Sequence, residues 1–228
     1  HERAAEAQRK GYFDREIVPV PVDELAEPVS REDVTNAGDA AQSDQNWFER
    51  DEGVRQDPDR DAMGDLEPVF QEDGVVTAGN SSQMSDGASA LLMTSEERAS
   101  SDGLDPRAKI VAQEVVGVNP TMMLTGPIPA TQNILDQVGM DVGDIDLFEV
   151  NEAFSSVVLA WEQELGPDRE KVNVNGGAVA LGHPLGATGG KLMTTLLHEL
   201  ERRGDRFGLL TMCCGGGLGV ATLIDRDV

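Results

Sequence analysis

The 228-residue chain carries 42 Asp and Glu against 18 Lys and Arg, a formal net charge of −24. That acidity repels nucleic-acid phosphates and anionic lipid headgroups, and no apolar run reaches the roughly 20 residues of a membrane span, so nucleic-acid binding and membrane insertion are both disfavoured. A hydrophobic content of 39% suffices for a core, which at 4% aromatic residues must be filled by aliphatic side chains. Two cysteines, adjacent at 213 and 214, make no disulfide framework and point to a reducing, cytoplasmic setting.

Residues 1–11 read as a helix through Ala4, Ala5 and Ala7 that stops at Gly11. Residues 17–22, Ile-Val-Pro-Val-Pro-Val, read as a short edge-like strand, because internal prolines cannot donate to a ladder. Between Asn36 and Asp73 the composition shifts to twelve acids and three arginines, which predicts an irregular, solvated stretch. Val75 to Met93 opens on β-branched residues, passes through small and turn-forming ones, and ends in an apolar strand.

From residue 107 onward strand and helix patterns alternate. Strands are predicted at Ile110–Val116, Asp146–Val150, 172–175, 207–213 and 218–224. Helices are predicted at Ala130–Val138, with Gly139 ending it, and at Glu152–Leu165, stopping at Gly166-Pro167. A further helix follows Gly186, with Leu192, Met193, Leu196, Leu197 and Leu200 on one face and Gly204 as its stop. This order implies an α/β fold in which helices cover a mixed sheet.

The least ordinary stretch runs from Val172 to Gly190. It alternates apolar and polar residues, turns through Gly176-Gly177, holds His183 at a junction in front of Pro184, and then becomes helical. Six glycines between 176 and 190 cost folding entropy unless the backbone needs the shape.

Asn175-Gly-Gly-Ala-Val-Ala-Leu-Gly-His-Pro-Leu-Gly-Ala-Thr-Gly189 resembles the histidine signature of thiolases, the enzymes that make or break 3-ketoacyl-CoA. Asn151-Glu152-Ala153-Phe154 upstream and Cys213-Cys214-Gly215-Gly216-Gly217 downstream match two further motifs in the family's order. The resemblance implies a thiolase-like layered α/β fold of helices on mixed β-sheets, with an incomplete N-terminal half. It places the chain as the C-terminal three-fifths of a thiolase. Residues 1–83 would be a loop and CoA-binding region, 84–106 the end of the N-terminal half, and 107–228 the C-terminal half. It also implies that the acyl-carrying cysteine lies outside this chain, since neither Cys213 nor Cys214 occupies that context.

Thiolysis and the reverse Claisen condensation need an acyl-carrying thiol, a base for the α-proton, an acid for the departing thiolate, and donors for two oxyanions. A second thiol suits the acid–base work because its proton affinity is close to that of CoA. By resemblance Cys213 fills that role, and Gly215 offers a backbone N–H to one oxyanion. His183 would polarise the thioester oxygen and help deprotonate the nucleophile. Asn151 would hold a water completing the same oxyanion hole; read without the family it is a helix N-cap. Glu152 needs no explanation beyond an acidic first turn.

On the substrate side, Ser82 would meet the pantetheine arm of CoA and Ala78 would line its tunnel. Arg55 would lie near the nucleotide end, although Ala62 stands where the family often has a serine. Met123, Ala153 and Phe154 would shape the acyl pocket. Coenzyme A enters as substrate, with no metal and no further cofactor, and a homodimer or homotetramer is implied. The competing reading is a non-catalytic CoA-binding or assembly half. A ketoacyl synthase is disfavoured because such enzymes carry histidine where Cys213 stands. Independently of the family, 42 acids with four lysines resemble the surface of a halophilic protein.

Overall fold

The structure is a computed structural model that describes residues 1–22 and 47–228. The alternating patterns of the second half close into a four-stranded sheet of β3 (Lys109–Gly117), β4 (Leu147–Val150), β5 (Phe207–Cys214) and β6 (Leu218–Asp225), in the order β3-β6-β5-β4. β4 runs parallel to β5, whereas β6 is antiparallel to both β5 and β3. The sheet is therefore mixed, as predicted.

Successive residues of a strand face opposite sides, so each strand feeds two cores. Phe148, Val150, Leu209, Ala221 and Leu223 pack on one side against Ala130, Ile134 and Leu135 of α4 (Pro127–Val138) and Val158 and Trp161 of α5 (Ser155–Leu165). Trp161 sets its ring edge-on to Phe148, with centroids 5.2 Å apart, and donates its indole N–H to Thr131 Oγ1 at 2.9 Å. On the other side Leu147, Leu210 and Ile224 meet Leu196 and Leu200 of α7 (Thr188–Arg203). The helices end on Gly139, Gly166 and Gly204, the stops read from sequence.

Two glycine contacts decide how closely the layers approach. A Cβ on Gly126, at the entrance to α4, would lie 2.6 Å from the Gly219 Cα of β6. The β5–β6 turn uses Gly216 and Gly217 at φ of +83° and +89°, a region that favours glycine.

The first half is built differently. Helix α1 (Glu2–Arg9) packs Ala4, Ala5 and Ala7 with Phe13 and Val54 against Ala180 and Leu181 of the short helix α6 (Ala178–Leu181). β1 (Val20–Pro21) pairs antiparallel with β2 (Trp47–Phe48), so the predicted 17–22 strand is reduced to two paired residues. The acid-rich stretch is exposed and largely irregular where described, with a short helix α2 (Arg60–Gly64) capped by Asp59; its residues 36–46 lie outside the described residues. Helix α3 (Glu96–Asp102) follows.

Two strand expectations fail. The apolar run ending at Met93 is not a strand, and Met84, Leu92 and Met93 are exposed by 100%, 87% and 68%. A strand needs a neighbour for its ladder, and none pairs with this run among the described residues. Residues 172–175 make one parallel bridge, Val172 to Phe148, before Asn173 turns to φ +45°. The Asn173 carboxamide replaces the ladder from there: its Oδ1 accepts from Val150 N–H at 2.8 Å and its Nδ2 donates to Val150 O at 2.9 Å.

Candidate active site at the ends of β4 and β5

Asn151 follows directly on β4 and is fully buried. Its backbone N–H donates to Thr211 O on β5 at 2.9 Å, two residues before Cys213. Asn173 clamps the preceding Val150, so the end of β4 is held from both sides. Helix α5 begins only at Ser155 with Phe154 extended before it, so Asn151 does not cap that helix. Its side chain instead points to His183, with Nδ2 3.3 Å from Nε2. The opposite atom, Asn151 Oδ1, is buried without a hydrogen-bond partner among the described residues.

His183 is held by its own glycine-rich turn. Its backbone N–H donates to Gln83 O at 2.9 Å, and its ring Nδ1 lies 2.6 Å from Thr188 Oγ1. Burial, and then the positive charge of Lys191, push the imidazole below its ordinary range and favour the neutral ring. Cys213 is buried near the end of β5, and burial raises its thiol above the usual value. Gly215 is exposed in the β5–β6 turn, where an added Cβ would meet nothing within 4 Å.

The substrate-side candidates fall into two groups. Ser82 N–H donates to Ala153 O at 2.9 Å and Ser81 bridges to Phe154, whose ring lies edge-on to Phe70 at 6.0 Å. Ser82, Ala153 and Phe154 thus share one edge beside Asn151. Ala78 opens a 3-10 turn (Ala78–Asn80) four residues upstream and is exposed. Arg55 has an exposed side chain, with its backbone N–H on His1 Nδ1 at 3.2 Å. Met123 sits half-buried at φ +51° in the turn before α4; that turn begins at Val118, which donates to Gly217 O at 2.7 Å beside the Gly215 loop.

Three residues that hold the site were not among the candidates. Gln83 donates to Gly53 O at 2.9 Å and Val179 O at 3.1 Å, tying the substrate-side loop to α6. Glu152 accepts the Val179 N–H at 3.1 Å at the start of α6, more than a first-turn acid would do. Thr188 accounts for the other side of the His183 ring. Each acts across a turn that periodicity does not report.

Behind the site, on the α7 side of the sheet, Glu149 is fully buried and burial pushes its carboxyl up to about 8. Burial likewise raises Glu16 to about 7, while Lys191 is lowered by burial against the pull of Asp51, Glu149 and Glu16. Among the described residues no group of three or more His, Cys, Asp or Glu side chains is placed to hold a metal ion.

A mixed sheet between helices, with Asn151 and Cys213 at strand ends and His183 paired to Asn151, defines an α/β protein. The family description "Thiolase, C-terminal domain" matches residues 104–226 and "Thiolase, N-terminal domain" matches residues 1–97. The chain belongs to the thiolase family. It is 47% identical over 227 residues to a 3-ketoacyl-CoA thiolase of Bacillus subtilis, covering 99% of this chain and 56% of the relative. The crystal structure of Bacillus anthracis acetyl-CoA acetyltransferase superposes with a TM-score of 0.86 at 43% identity, covering 98% of this chain and 52% of that one. Human mitochondrial 3-ketoacyl-CoA thiolase in complex with CoA gives 0.84 at 35% identity, covering 99% and 52%. The fold is the thiolase fold. The chain spans about half the length of the curated relatives it matches, less than the three-fifths suggested by its motifs.

Proposed function

We propose that this chain is the Cys213-bearing part of an acyl-CoA C-acyltransferase that cleaves 3-ketoacyl-CoA with CoA and catalyses the reverse condensation. The observation that supports this best is the Asn151–His183 pair, tied through Thr211 to the strand that carries Cys213. On this reading a cysteine outside the chain carries the acyl group, and His183 first takes its proton. Cys213 moves the proton at the α-carbon, while Gly215 N–H and the His183–Asn151 side serve the two oxyanions. Ser82, Ala78, Arg55, Met123, Ala153 and Phe154 line the path of CoA and acyl chain. The same reading keeps the divisions at 83/84 and 106/107, a homodimer or homotetramer, and a cytoplasmic site of action.

The test is Cys213→Ser in the full-length protein. Thiolysis of acetoacetyl-CoA should fall by at least about 100-fold, the usual worth of a positioned acid or base. Acyl-enzyme formation from acetyl-CoA should stay measurable. Equal loss of both would show that Cys213 is not the acid–base group.

We also read the acidic surface as salt adaptation. Molar salt shortens the screening length to roughly 3 Å, from about 10 Å at 0.1 M, and relieves repulsion among exposed carboxylates. The thermal midpoint should therefore rise across a chloride series from 0.1 M to molar, and a flat response would overturn the reading.

A further inference from the structure

Resting on the proposed acyltransfer, His183 must first accept a proton at Nε2 and only then donate from it. Which ring nitrogen carries the resting proton therefore decides whether the ring can begin. Thr188, the first residue of α7, is 1% exposed, and its Oγ1 stands 2.6 Å from His183 Nδ1 and 2.8 Å from Pro184 O. A hydroxyl has one hydrogen to give. The Pro184 carbonyl also accepts the Ala187 and Thr188 N–H groups, but two oxygens 2.8 Å apart repel unless a hydrogen lies between them, so the hydroxyl hydrogen points to Pro184 O and a lone pair faces Nδ1. We propose that Thr188 is a positioning residue that holds His183 as the Nδ1–H tautomer, leaving Nε2 with a lone pair that can take a proton.

The other end of the ring agrees. Asn151 Nδ2 lies 3.3 Å from Nε2 and donates to that lone pair at rest, whereas an Nε2–H there would oppose a second donor. In the first step the S–H bond of the acyl-accepting thiol breaks and an Nε2–H bond forms, leaving a thiolate and an imidazolium. Nδ1–H stays bonded to Thr188 throughout. The new Nε2–H takes the place of the Asn151 Nδ2 donor on that nitrogen, so the Asn151 amide must turn aside as the proton arrives. In the opposite tautomer Nε2 has no lone pair and the first transfer cannot occur.

The test is the imidazole 15N spectrum of the full-length protein labelled at histidine, with the His183 signals identified by their loss in His183→Asn. Wild type should show Nδ1 protonated and Nε2 bare, and Thr188→Ser, which keeps the hydroxyl, should preserve this. Thr188→Val should shift the ring toward Nε2–H. It should also lower kcat for thiolysis about 10- to 100-fold, the usual cost of losing a partner that orients a functional histidine, with KM little changed. A wild-type ring protonated at Nε2 overturns the proposal, as does a Val variant with unchanged tautomer and kcat. If the Val variant does not fold, the wild-type spectrum still decides. An Nδ1–H ring in a protein without thiolysis activity supports the role of Thr188 and overturns the acyltransfer reading instead.

Discussion

Residues 109–225 and residues 47–103 both contain apolar runs, yet only the first group folds into layers. In the C-terminal part both faces of the central strand β5 meet helices: Leu209 lies under α4 and α5, and Leu210 under α7, while Val111 and Val115 on the outer strand β3 stand exposed. In the other part Phe70, Met84 and Leu92 stand mostly in solvent. What Phe70, Met84 and Leu92 lack, among the described residues, is a packing partner that covers them. A side chain is worth about 1.5–3 kcal/mol when buried and nothing when it stays wet.

The strongest way to break this comparison is at Trp161, which joins α5 to α4 and β4. Trp161→Ala should cost about 3–5 kcal/mol, read by chemical denaturation, through lost burial and the lost indole N–H bond to Thr131, whose hydroxyl keeps its own bond to Pro127 O. A cost under about 1 kcal/mol would mean that the layers are not held by this core.

A smaller effect is expected at Glu149, the buried acid behind the site. Its carboxyl titrates near 8 in the fold against an ordinary 4.5. Between those values the native state holds a proton that the unfolded chain has released, so stability falls as pH rises through the window and levels off above it. Glu149→Gln mimics the protonated form. It should lie close to wild type near pH 5 and exceed it by up to about 4 kcal/mol at pH 9. Parallel stability curves across that range would refute the shift.

The least effect is expected at Leu92. With an exposure of 87%, Leu92→Ser should change the stability of this chain by less than about 0.5 kcal/mol. The same substitution in the full-length protein sharpens the comparison, since a cost above about 1 kcal/mol there would reveal a partner that covers the run.

Much of the C-terminal fold was legible because its information is periodic. Leu192, Leu196 and Leu200 announce the buried face of α7, and Gly204 its end. The Asn151, His183 and Cys213 motifs were legible through family resemblance, and the first two meet as a pair. What sequence did not carry were roles exchanged across turns. Asn173 looked like a strand residue, but its side chain does the ladder's work. Thr188 and Gln83 look like ordinary polar residues until the chain brings their partners to them. The Met93 run misled because an apolar pattern specifies the face of a strand without supplying the neighbour it pairs with.

The backbone bond from His183 to Gln83 joins positions a hundred residues apart, and the Gln83 side chain adds links to Gly53 and Val179. Closing a loop of that length in an unstructured chain costs roughly 4 kcal/mol in entropy alone, more than these bonds return. The sheet and α7 must shorten the loop before the bond becomes favourable. During folding the His183 turn is thus an end product, closed only once the layers have brought residues 83 and 183 together.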